Sequence, residues 1–135
     1  MRALLTAAAL WLITVPLIAR ADEIPLSPQD YPLLVGAWEG VFEARNAGGE
    51  IVSTNDVRLT IAGDETGTFW VSEPEHEWPT AVKIKDGKVE LYFGHVDRLF
   101  AYGQTGDAAS LAIEYDGEVE GQPTKDGLTL VKRAD

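Results

Sequence analysis

The run "LLVGAWEGVFEAR", residues 33–45, sets Trp38 two places after Gly36 and two before Gly40. Two-residue alternation puts Gly36, Trp38, Gly40, Phe42 and Ala44 on one face, and Ala37, Glu39, Val41, Glu43 and Arg45 on the other. That is the pattern of a strand with one buried face. The glycine-bearing face is the interior. A tryptophan pointing into a narrow bore needs room beside it, and same-face glycines supply that room and let the strand bend.

Alternation recurs almost to the C-terminus, and no segment keeps the three-to-four spacing of an amphipathic helix over a useful length. The chain is predicted to be all-β, with eight strands at about 34–45, 50–62, 66–72, 80–85, 88–93, 98–104, 109–115 and 128–133. Short turns join most of them. "NAGGE", "GDETG", "KDGK" and "QTGDA" bring Gly and Asp where hairpins require positive φ. The last connection, "DGEVEGQPTKDG", has room for one further short strand around 118–121. Sequence neighbours are therefore neighbours in space, an up-and-down antiparallel meander. Closing it into an eight-stranded β-barrel removes both edges; an open β-sandwich is the competing arrangement.

The chain opens with "MRALLTAAALWLITVPLIARA", one arginine ahead of an apolar run that ends in Ala19-Arg20-Ala21. This reads as a signal peptide over residues 1–21, cleaved after Ala21, because the run is shorter than the roughly 20 residues of a membrane-spanning helix and Pro16 interrupts it. The expected location is periplasmic or secreted. No cysteine is present, so lipid attachment through one and disulfides are both excluded, and stability must come from packing and strand pairing. Residues 22–33 carry three prolines and no period, which predicts an extended N-terminal segment leading into one barrel domain at 34–135.

Removing Arg2 and Arg20 with the leader takes the formal charge from −11 to −13. Nucleic acid and anionic membrane surfaces are poor partners for such a chain. Solubility accounts for this acidity, and attraction to a cationic protein is the alternative.

If the first and last strands pair to close the barrel, Arg133 in "GLTLVKR" lies opposite the start of the first strand. Its guanidinium then stacks on Trp38 and bonds the last carbonyls. Lys132 takes that place if the register slips by one. With Gly36-Ala37-Trp38 and Arg133 the chain resembles the lipocalin-like, or calycin, β-barrels, in which a G-x-W motif opens the first strand and a late arginine crosses the indole. "GAWEG", "WPTAVKIKDGKVEL" and "LTLVKR" together look like the small lipocalin-like domains of bacterial exported proteins. The resemblance implies a closed barrel in which Gly36, Trp38, Gly40 and Arg133 serve closure. The chain lacks the length, C-terminal helix and disulfide of a ligand-carrying lipocalin, which argues for a narrow bore.

Carried along the chain, the alternation points Ile51, Val57, Leu59, Ile61, Phe69, Val71, Val82, Ile84, Val89, Leu91, Phe93, Leu111, Ile113, Tyr115, Leu128 and Leu130 inward. It leaves Trp70, Tyr92, Phe100 and Tyr102 outward, an aromatic cluster that needs a cause. Three accounts stand: the N-terminal segment covers the rings, they form a binding surface, or a β-bulge inverts the phase and they line an internal pocket.

The segment "SEPEHEWPT" gathers Glu73, Glu75, His76, Glu77 and Trp78 and reads as an acidic loop, able to insert into a cationic cleft. His and carboxylates are zinc ligands, but three consecutive residues cannot all face one ion, so no metal is assigned. In "GHVDRL", His95, Asp97 and Arg98 suggest a base, its orienting carboxylate and an anion clamp, yet no nucleophile accompanies them and they are read as a charged hairpin tip. The expected function is a non-enzymatic binding module without cofactor. It would hold a hydrophobic or amphipathic small molecule, or support a partner, through Trp70, Trp78, Tyr92, Phe100 and Tyr102. The alternative is an inhibitor or partner of a cationic lysozyme-like hydrolase, working through Glu73, Glu75, His76 and Glu77.

Overall fold

The computed structural model describes residues 22–134; the proposed signal peptide lies outside the described residues. The chain forms strands β1 (Asp22–Glu23), β2 (Gly36–Arg45), β3 (Ile51–Ile61), β4 (Thr66–Ser72), β5 (Glu75–Ala81), β6 (Lys83–Lys85), β7 (Lys88–Phe93), β8 (Val96–Thr105), β9 (Ala108–Val119) and β10 (Gln122–Lys132). A 3-10 helix, Pro28–Leu34, precedes β2. Every pairing is antiparallel, in the order β5-β4-β3-β2-β10-β9-β8-β7-β6, with β1 added to β8. This is a nearly closed antiparallel β-barrel, and the sandwich is ruled out. It has nine strands where eight were predicted. The extra one is β5, five of whose seven residues, 75–79, lie in the segment read as a loop; past Val82 the chain goes on as β6, so that β5 pairs with β4 and β6 with β7.

β2 and β10 pair from Arg45↔Lys125 to Trp38↔Lys132, so the first and last barrel strands close the cylinder as expected. The remaining seam lies between β5 and β7, and side chains bridge it. The Tyr92 N–H donates to Thr80 Oγ1 at 2.7 Å, and the Tyr92 carbonyl accepts from Trp78 Nε1 at 2.8 Å. Both backbone groups of one edge residue are thereby satisfied without a ladder partner.

Trp38 is fully buried with Leu34, Leu59, Ile61, Leu111 and Leu130 in the core. Its Nε1 donates to the Leu34 carbonyl at 2.9 Å, so the 3-10 helix caps this end of the barrel. The cation above the indole is Lys132, not Arg133. Register decides the matter: Lys132 stands directly opposite Trp38, and its Nζ lies 5.9 Å from the ring and donates to the Leu33 carbonyl at 3.0 Å. Arg133 points outward, paired with Glu39, while its backbone N–H bonds to Ala37.

The N-terminal segment is less featureless than its prolines suggest. Pro28 opens the 3-10 helix behind Ser27, whose N–H is taken by the Asp30 carboxylate at 2.8 Å. Leu26 is buried in the core, and β1 extends the β8 edge where β7 has ended.

Three further expectations are corrected. Phe100 and Tyr102 point inward, at 0% and 3% exposure. No bulge is involved. Phe93 pairs with Val96 across the two-residue Gly94-His95 turn, so odd-numbered interior positions on β7 face even-numbered ones on β8. Ile51 is 45% exposed, because the register shifts between Ala44 and Arg45 and takes that end of β3 out of phase. The last connection is not a loop: β9 runs to Val119 and β10 starts at Gln122, joined by a turn at Glu120-Gly121, both at positive φ.

Candidate functional site

The end of the barrel away from Trp38 is open and holds a cavity of about 330 Å³, at the small end of the range for ligand pockets. Its apolar wall comes from Phe42 on β2, Val71 on β4, Trp78 on β5 and Phe93 on β7. Trp78 and Phe93 rings lie 5.8 Å apart, and Phe69 stacks behind Trp78 at 5.2 Å, which holds the indole against the cavity. The rim is polar, with Asn55, His76, His95 and Tyr115.

Residues 73–78 are the largest departure from the sequence reading. They form no projecting loop. β4 turns at Ser72 directly into β5, so Glu75 faces Ser72 and His76 faces Val71 in the ladder. Alternation then sends His76, Trp78 and Thr80 inward, and leaves Glu75 and Glu77 outside. The two histidines of the described chain, 19 places apart in sequence, thus line one cavity. Among the described residues no group of three or more His, Asp or Glu side chains is gathered to hold a metal ion.

The expected aromatic contacts separate into three places. Trp78 and Tyr92 line the cavity. Phe100 and Tyr102 belong to the core beneath it. Trp70 lies on the outer face, its ring covered by Arg58 at 4.3 Å and its Nε1 bonded to Glu75 at 2.9 Å. Glu73, like Glu75 and Glu77, is exposed; its backbone N–H donates to Asn55 Oδ1 at 2.6 Å. No family model, curated protein or solved structure matches the chain. What the site can do must therefore be read from its own chemistry.

Sequence reasoning did not single out Asn55 or Tyr115 as site residues, and it considered Arg98 as an anion clamp only alongside His95 and Asp97, against the reading of a charged hairpin tip. Arg98 takes an interior position, opposite Leu91 on β7. Its Nε donates to the Phe93 carbonyl at 2.8 Å, and its guanidinium carbon lies 3.5 Å from the Tyr115 ring centroid. Nearby, the buried Asp126 carboxylate accepts from the Thr124 hydroxyl at 2.6 Å and packs over Gly117. These residues surround one phenol.

Burial raises the Tyr115 hydroxyl above the ordinary tyrosine value of 10.0, against the lowering effect of Arg98. An acid whose folded pKa is raised adds stability that is fully present below the unfolded pKa. That stability is lost as pH climbs through the folded value. The difference in stability between the native chain and Tyr115→Phe is thus expected to hold steady below the ordinary tyrosine value of 10.0 and to shrink as pH rises above it. Urea midpoints measured in parallel test this, and a constant difference would contradict it. Taking the difference removes the contribution of Tyr31, whose hydroxyl is likewise raised by burial.

Proposed function

We propose that this chain is an exported, non-enzymatic binding module of lipocalin-like type that holds a hydrophobic or amphipathic small molecule in its open-ended cavity. The observation that carries the reading is the asymmetry of the barrel. One end is sealed by Trp38, Lys132 and the 3-10 helix, while the other keeps about 330 Å³ of space walled by aromatic and aliphatic side chains. A core built only for stability fills its interior to crystal-like density. A walled space with a few fixed polar groups at its rim is how small-molecule sites are built.

Trp78 reports on occupancy, since its indole lines the cavity and its Nε1 is fixed on Tyr92. Titration with octyl-chain amphiphiles of differing head group, followed by tryptophan fluorescence, is expected to give saturable binding of one molecule per chain for at least one of them. Val71→Trp fills the space from the β4 side and is expected to weaken that binding at least tenfold. Absence of saturable binding for the whole series, or an unchanged affinity in Val71→Trp, would overturn the reading.

The alternative, an acidic partner of a cationic lysozyme-like hydrolase, loses its proposed probe, because the segment meant to insert is a paired strand. Net charge remains its support, and charge alone specifies no partner.

A further inference from the structure

The chain holds 22 acidic residues against 11 basic, yet among the described residues no carboxylate lines the cavity. Its polar lining consists of an amide, a phenol and two imidazoles, contributed by Asn55, Tyr115, His76 and His95. In so acidic a protein, a pocket that excludes every Asp and Glu has a lining of opposite character to the surface around it.

Donors with no protein partner converge there. Asn55 Oδ1 accepts from Ser72 Oγ at 3.2 Å and from the Glu73 N–H at 2.6 Å, which fixes the amide and leaves its Nδ2 donors over. The Tyr115 hydroxyl, on the cavity lining, has no hydrogen-bond partner among the described residues. Arg98 sits just behind that lining: a methyl built at Gly94, which is on it, would meet Arg98 Nε at 3.4 Å, Nη2 at 3.5 Å and the Tyr115 hydroxyl at 3.5 Å. Arg98 is half-buried, and among the described residues no carboxylate forms an ion pair with it. With Nε spent on Phe93, its Nη donors are the remaining ones. A partly desolvated guanidinium without an acidic partner keeps donors free for an anion, which it takes through charge-assisted, bidentate hydrogen bonds. Asp126 does not serve that purpose, since its carboxylate is turned onto Gly117 and Thr124.

We propose that the cavity selects an amphiphile with a single carboxylate head, bound by the Arg98 guanidinium, the Tyr115 hydroxyl and the Asn55 amide, with its apolar body against Phe42, Val71 and Trp78. This rests on the proposed reading of the cavity as a small-molecule site. A monoanion fits better than a phosphate ester, because the strong negative charge of the chain repels multivalent anions at long range.

The test compares three probes sharing one tail, octanoate, 1-octanol and octyltrimethylammonium, titrated into the intact domain at neutral pH with tryptophan fluorescence as readout. Octanoate is expected to bind at least tenfold more tightly than octanol, and the ammonium probe more weakly than either. In Arg98→Met the octanoate preference should fall to within about twofold of octanol, while Arg98→Lys should retain part of it, which separates loss of charge from loss of fold. Equal binding of octanoate and octanol, or tighter binding of the ammonium probe, overturns the carboxylate assignment and leaves the cavity reading standing. An undiminished preference in Arg98→Met, with its fold confirmed by circular dichroism, overturns the role of Arg98. Failure of all three probes to bind overturns both the assignment and the reading beneath it.

Discussion

Gly40→Ala is expected to cost about 3 kcal/mol or more of folding stability, at the upper end of overpacking substitutions. A methyl group built at Gly40 falls 1.9 Å from the Thr129 carbonyl oxygen and 2.8 Å from its carbon. Both atoms are backbone of β10, the strand directly across the closure, so no rotamer change relieves the contact. Relief requires β2 and β10 to separate where Leu130 pairs with Gly40, and that ladder is what closes the barrel. Gly63→Ala makes the control. Nothing lies within 4 Å of a methyl placed there, so its effect should stay within about 0.5 kcal/mol. Urea midpoints for the two variants test the contrast, and equal values would show that the strands are not held so close at Gly40.

The same position shows how far the chain could be read without coordinates. Alternation in 33–45 correctly placed Trp38 and its glycines on the inner face, and closure of the meander placed the first and last strands together. It assigned the glycines the wrong neighbour. Gly40 makes room for the backbone of β10, and Gly36 for the aliphatic end of Lys132, whose Cε lies 3.0 Å from a methyl built there. Those distances depend on the cross-strand register, and register is set by pairing along the whole ladder, which a single strand's pattern does not contain. The one-residue choice between Lys132 and Arg133 was undetermined for the same reason. Phe100 and Tyr102 failed on a different point, since interior parity changes whenever a hairpin turn has an even number of residues, and Gly94-His95 is such a turn.

The candidate site was the least legible part, because it is assembled from residues far apart in sequence. His76 and His95 alternate correctly with their neighbours, but His76 sits among Glu73, Glu75, Glu77, Pro74 and Pro79, a composition that reads as loop. Pairing with β4 overrides that composition. Arg98 was hidden by its charge. Hydrophobic patterning assigns arginine to the surface, whereas here a ring face and a carbonyl provide for it inside.

Trp38→Ala should produce an effect of comparable size by the opposite route, removing about 4 kcal/mol by leaving a void. The side chain is 0% exposed, among the largest in the core. Alanine abandons its contacts with the surrounding aliphatic residues. It also deletes the hydrogen bond from Nε1 to Leu34, leaving that buried carbonyl without its indole donor. Against the roughly 5–15 kcal/mol that stabilises a domain of this size, such a loss brings the variant close to unfolding. Trp38→Phe separates the two contributions, since it restores most of the volume but not the donor, and should cost about 1–2 kcal/mol. Trp70 and Trp78 remain to report unfolding in both variants. If Trp38→Ala shifts the denaturation midpoint no more than Trp38→Phe does, the indole does not seal this end of the barrel. If instead the alanine variant is crippled while Val71→Trp, at the open end, keeps near-native stability, the two ends divide the work. One would hold the cylinder shut, and the other would leave space that the fold does not need for itself.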